Sequence, residues 1–194
     1  MDERLNETAE LDLLANAEAF ALPHYEEAGR AYHNSEHVRT MLAALESRGV
    51  LTPALALAVW GHDLIYDARA GDNEERSAEV FDGWLVSQHA PADLRKEIHA
   101  LILATKHAAP PATRAEALLV DADLAILGAS AADFAAYDAA IRQEYAHVPG
   151  LLYRVGRKKV LRSFLNRGQI YTTPEFADLE AQARWNLTGA VGRL

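Results

Sequence analysis

Residues 55–67 read LALAVWGHDLIYD. Steps of three and four place Leu55, Val59, His62, Asp63 and Tyr66 on one helical face, so the inward stripe of a core helix runs straight into a His-Asp pair. Burying those two groups without partners costs several kcal/mol, because a charge leaves water unpaid. A divalent metal ion satisfies both at once.

Working outward, YHNSEHVRTMLAAL (32–45) repeats the pattern: His37, Met41, Ala44 and Leu45 share a face and put an imidazole near the start of a second helix. EALLVDADLAILG (116–128) repeats it with a carboxylate. There Val120, Asp123, Leu124 and Leu127 line the apolar stripe, while Asp121 lies roughly 160° away at about 100° per residue. Asp123 is the better inward candidate, with Asp121 the alternative. Two imidazoles and two carboxylates from three helices form a mixed N/O set suited to Mn, Fe, Zn, Ni or Mg rather than to a soft thiolate metal. Four protein ligands on an octahedral ion leave positions open for water and so for catalysis.

The composition agrees with that picture. The chain has 194 residues, half of them apolar and 24% charged, which fits one soluble globular domain. It contains no cysteine, which excludes disulfides, thiolate metal sites, iron–sulfur clusters and thiol nucleophiles. The opening MDERLNETAE lacks an apolar run, and no stretch approaches a membrane span, so a cytoplasmic protein with no membrane partner is expected. A formal charge of −9 argues against a general nucleic-acid coat. Ala and Leu dominate, β-branched runs are scarce, and Pro and Gly fall at helix-length intervals. We therefore expect an all-α fold with helices near 7–21, 34–47, 53–66, 72–89, 92–106, 113–127, 131–145, 151–167 and 174–187. Asn34 and Asp72 or Asn73 are expected as caps, and Pro53 and Pro91 at or just before first turns.

The order His37, His62-Asp63, Asp123 resembles the H…HD…D signature of the HD-domain metal-dependent phosphohydrolases. The wording YHNSEH, WGHDLIYD, GDNEERSAE, LILATKH, DADLAILG, IRQEY and GRKKVLRSFL further resembles a bacterial subgroup of predicted HD phosphohydrolases. The resemblance implies a single-domain helical bundle over 1–194, with a metal core at about 30–130 and a basic helical part at about 131–194. It implies His37, His62, Asp63 and Asp123 as ligands for one or two divalent ions per chain. It also implies hydrolysis of a nucleotide or other small phosphate ester, with Asp63 orienting or deprotonating the attacking water.

Around that core, Glu74 and Glu75 are candidates for proton relay or a second ion, with helix-start capping as the plain alternative. His107, and His33 one turn before His37, are candidates for a second metal or for supporting contacts. Lys106 is a candidate for phosphate. Between Ile141 and Ile170 stand Arg142, Arg154, Arg157, Lys158, Lys159, Arg162 and Arg167 against the single acid Glu144. Arg142, Arg157 and Lys158 are the candidate substrate contacts, and a solvated basic face is the competing reading. Tyr145, Tyr153 and Tyr171 suit either base stacking or core packing. Two other functions stay open. One is a di-iron oxygenase, which needs His107 with His33 or Glu75 to complete a second iron site. The other is a non-catalytic nucleotide-sensing module around a structural metal. Nucleic acid is not an expected partner, and oligomeric state is not readable.

Overall fold

A computed structural model describes residues 7–194, so the charged opening residues 1–6 lie outside the described residues. Among the described residues the regular structure is all helical: α1 (Glu7–Tyr25), α2 (Ser35–Ser47), α3 (Pro53–Gly61), α4 (Asn73–Ser87), α5 (Ala92–Ala104), α6 (Arg114–Asp123), α7 (Ala131–Glu144), α8 (Gly150–Leu165) and α9 (Glu180–Arg193). Two 3₁₀ turns, Leu124–Gly128 and Pro174–Leu179, complete the order. The chain divides into two compact units, one ending at Val120 and one running Asp121–Leu194. That division falls inside α6, ahead of the boundary near residue 130 drawn from sequence.

In the first unit α3 is the element the others surround. Every residue from Leu55 to Gly61 is buried, and α1, α2, α4 and α5 all pack on it. A helix apolar on all sides has no solvent face to present, so it has to be enclosed. Thr52 caps it, its hydroxyl accepting from the Leu55 N–H at 3.2 Å, and Pro53 takes the first turn where its missing N–H costs nothing. Phe20 of α1 stacks on Trp84 of α4 at 5.1 Å between ring centroids, and Trp84 stacks on Phe81 at 5.0 Å. A bidentate pair, Arg95 to Asp82 at 2.7 and 2.8 Å, joins α5 to α4.

The second unit is built around the 3₁₀ turn at Leu124–Gly128. Its carbonyls, short of helical partners, are taken by side chains: Tyr171 Oη donates to Leu124 O at 2.9 Å, and Asn186 Nδ2 to Leu127 O and Ala129 O at 2.8 and 2.9 Å. A Cβ on Gly128 would stand 2.6 Å from Leu179 Cβ, so only glycine lets the two 3₁₀ turns approach.

Several boundaries differ from expectation. α3 stops at Gly61, not Tyr66, so His62 and Asp63 sit on a turn rather than on the helical face drawn from spacing. The segment read as one helix over 113–127 tightens to 3₁₀ after Asp123. The last helix starts as a 3₁₀ turn and runs to Arg193, beyond the expected 187. No helix among the described residues is long and apolar enough to cross a membrane.

The end of α3 is tightly held. A Cβ added at Gly61 would lie 2.7 Å from the Phe81 ring and 2.8 Å from Ile102, both fully buried. Gly61→Ala is expected to cost about 1–3 kcal/mol by overpacking. Urea denaturation checks it, and an unchanged midpoint would show that this close approach is slack.

Candidate metal centre

The N-terminal side of the site is set by capping. Asn34 Oδ1 accepts from the Glu36 and His37 N–H groups at 2.9 and 3.4 Å, which starts α2 and aims His37, buried, from its first turn. His62 follows α3 as its cap residue and is 1% exposed.

His62 Nδ1 lies 2.8 Å from Val59 O. A carbonyl only accepts, so Nδ1 carries the proton, and a neutral His62 turns its Nε2 lone pair inward. That Nε2 stands 3.3 Å from His37 Nε2 and 3.0 Å from Asp63 Oδ2, with 4.0 Å between His37 Nε2 and Asp63 Oδ2. Two ligand atoms each about 2.1 Å from a common ion are separated by about 3 to 3.5 Å at octahedral or tetrahedral angles. The two separations from His62 Nε2 are those of neighbouring ligands and the 4.0 Å one is nearer that of an opposed pair, so the residues present fit one cation. Burial alone pushes the Asp63 carboxyl up. The charges that His62, His33 and His37 carry when protonated, and a hydrogen bond from protonated His62, more than reverse this, holding it well below the usual carboxylate range.

What fixes this turn is Arg30, which spacing in the sequence does not reveal. Its guanidinium is buried and donates to Asp63 O at 2.6 Å, Leu64 O at 2.8 Å and His33 O at 3.2 Å. The carbonyls left over where α3 stops are thus capped by a side chain from another segment. Tyr25 Oη adds a donor to Trp60 O at 3.1 Å and accepts from the Asp63 N–H at 3.3 Å. Ser77 of α4 closes the far side, bonding both the N–H and the carbonyl of Ile65 at 2.9 and 3.2 Å. Asn73 does the same for Asp67, so its side chain is spent on the loop, while Asp72 holds the cap position of α4 without a side-chain bond. His33 stacks on Tyr66 at 4.2 Å and lies 6.2 Å from the His37 ring, beside the cluster.

Glu75 and Lys106 are brought together as an ion pair, and Lys106 also donates to Gly71 O at 3.0 Å. The Lys106 hydrogen bond holds the Glu75 carboxyl below its ordinary range. Glu74 is half-buried beside it on α4. His107 follows α5 in the left-handed region, at φ 55.

In the second unit the two aspartates of α6 part company. Asp121 is fully buried and committed to backbone: it accepts from Thr172 N–H at 3.0 Å, and from Thr173 N–H and Oγ1, both at 2.7 Å. Burial pushes its carboxyl up against these bonds. Asp123 is half-buried and lies near Tyr137, adding to the upward push that burial gives that phenol. Arg157 is buried, with Nε donating to Asp138 Oδ1 at 2.9 Å. Arg142 donates to Tyr145 O at 2.6 Å and to Val148 O at 3.3 Å. Lys158 is half-buried on α8. Tyr171 is a core residue, as its bond to Leu124 requires.

Set against protein-family models, curated proteins and solved structures, the chain matches none of them.

Arg30→Met removes three charge-assisted bonds and leaves carbonyls buried. It is expected to cost about 2–4 kcal/mol and to speed hydrogen exchange at residues 62–66. Exchange followed by mass spectrometry checks this, and unchanged protection of that peptide would remove Arg30 from its role.

Proposed function

We propose that the protein is an HD-type metal-dependent phosphohydrolase acting on a nucleotide or another small phosphate ester. The observation that carries the reading is the convergence of His37 Nε2, His62 Nε2 and Asp63 Oδ2 within 3.0–4.0 Å of one another in a buried turn. The H…HD…D order of the sequence supports it. The ligand set is His37, His62 and Asp63, joined by Asp123 as the carboxylate the sequence assigns. Asp121 is unsuited, since its oxygens already serve Thr172 and Thr173.

A divalent cation supplies Lewis acidity and a low-pKa water, which is the chemistry such a hydrolysis needs. The chain's own contribution is positional. Val59 O fixes the His62 tautomer, and Arg30 and Tyr25 fix the backbone of Asp63. Asp63, kept ionised, is the candidate to orient the attacking water or to take its proton. Glu75, paired with Lys106, and Glu74 beside it on α4 are the candidates for passing that proton on; His33 and His107 are the candidates for a second ion. Any oxidative reading needs that second ion.

Protein purified without an affinity tag is expected to carry about one or two divalent ions, and His62→Ala/Asp63→Ala to carry none, by elemental mass spectrometry. The loaded protein should hydrolyse members of a phosphate-ester panel and the variant should not. A wild type that takes up no metal even after reconstitution sinks the proposal.

The two aspartates separate function from fold. Asp123→Asn should lose metal with stability changed by less than about 1 kcal/mol, whereas Asp121→Asn, facing two N–H donors with an amide, should lose about 2–3 kcal/mol. The reverse pattern, by metal content and urea denaturation, would assign the ligand to Asp121.

Binding should also weaken on acidification. Protons compete with the ion for the nitrogen ligands, so affinity falls as pH drops. Metal titrations at several pH values test this, a flat profile pointing to ligands other than histidine.

A further inference from the structure

The basic segment of the second unit forms a pocket that the metal reading does not use. A cavity of about 530 Å³ opens where α7, α8 and the end of α9 meet, a size that suits small ligands. Ala135, Ala139 and Gly150 contribute little bulk to its lining, which is what leaves the space.

Three guanidinium groups line it, from Arg142, Arg154 and Arg193. Arg142 is held in place, its guanidinium 4.5 Å from the Tyr153 ring centroid and its nitrogens on the Tyr145 and Val148 carbonyls. Arg154 and Arg193 are exposed, and no ion pair to either occurs among the described residues. The pocket's one acidic side chain, Asp138, is already matched by the buried Arg157 at 2.9 Å. The lining is therefore cationic. One buried donor in its wall also lacks a hydrogen-bond partner, the Tyr153 hydroxyl. Native structures rarely leave such groups unmet unless a ligand or solvent serves them.

We propose that this pocket binds a pyrophosphate-bearing anion. A carboxylate brings one negative charge, whereas each phosphoryl group brings nearly two and several acceptor oxygens. Linked phosphoryl groups match a lining that holds three arginines, whose planar forks suit phosphate oxygens. The pocket also has room for an organic group attached to them. Every residue involved belongs to the second unit, so the binding needs neither metal nor the His-Asp turn.

The test is isothermal titration of the full chain, stripped of metal by chelator, with inorganic pyrophosphate and separately with a nucleoside diphosphate. One saturable site is expected, weakened roughly tenfold or more in Arg154→Gln/Arg193→Gln and unchanged in His62→Ala/Asp63→Ala. Both substituted arginines are exposed, so the first variant should fold as wild type. Tighter binding of the nucleoside diphosphate places its organic part in the pocket; equal binding assigns recognition to the phosphates alone. Tyr153→Phe should leave the free protein as stable or more so, because an unmet donor is removed, while lowering affinity. No saturable binding, binding indifferent to the arginine variant, or binding lost in His62→Ala/Asp63→Ala overturns the proposal.

Discussion

Burying a His-Asp turn against the end of a helix that is itself buried on every side is the constraint on which the first unit depends. α3 has no polar face, so where it stops, its last carbonyls and His62 are out of water and Asp63 is largely so. Each needs a partner from elsewhere in the chain. Arg30, Tyr25 and Ser77 satisfy the backbone, and the imidazoles and carboxylate satisfy one another at ligand spacing. The helices packed around α3 act as the frame that keeps these groups converged.

The second unit solves a similar problem with neutral groups. Its 3₁₀ turn leaves carbonyls open, and Tyr171 and Asn186 cover them, while Asp121 ties the Thr172-Thr173 backbone to α6. The same residue types thus serve opposite ends within one helix. Asp121 accepts from the Thr172 and Thr173 N–H groups and the Thr173 hydroxyl, and Asp123, two residues on, is half-buried.

Much of the helical order was legible because capping and breaking are local. Asn34, Thr52-Pro53 and Pro91 sit at helix starts for reasons that a few neighbouring residues determine. The apolar phase in 116–128 turned Asp123 inward and Asp121 away, yet Asp121 is the fully buried one, held by Thr172 and Thr173 from a distant segment, and Asp123 is half-buried. The end of α3 was not legible, because apolar spacing continues through Leu64 and Ile65 while the Ser77 and Arg30 bonds that bend the chain there come from distant segments. For the same reason Arg30 escaped notice: its task is defined by three carbonyls brought to it by the fold, and no local pattern announces it. The pairing of Glu75 with Lys106, 31 residues apart, is likewise a product of how α4 meets the end of α5.

The reach of Arg30 bears on the order in which the molecule assembles. It joins the segment before α2 to carbonyls 33 and 34 residues later, so the turn acquires its final shape only after that length of chain has closed. Closing such a loop is an entropic step that local helix formation does not accomplish. A nascent chain can therefore form α2 and α3 as separate helices while its His-Asp turn is still unshaped, and the close approach of His37, His62 and Asp63 arises late, as a property of the closed chain rather than of the motif.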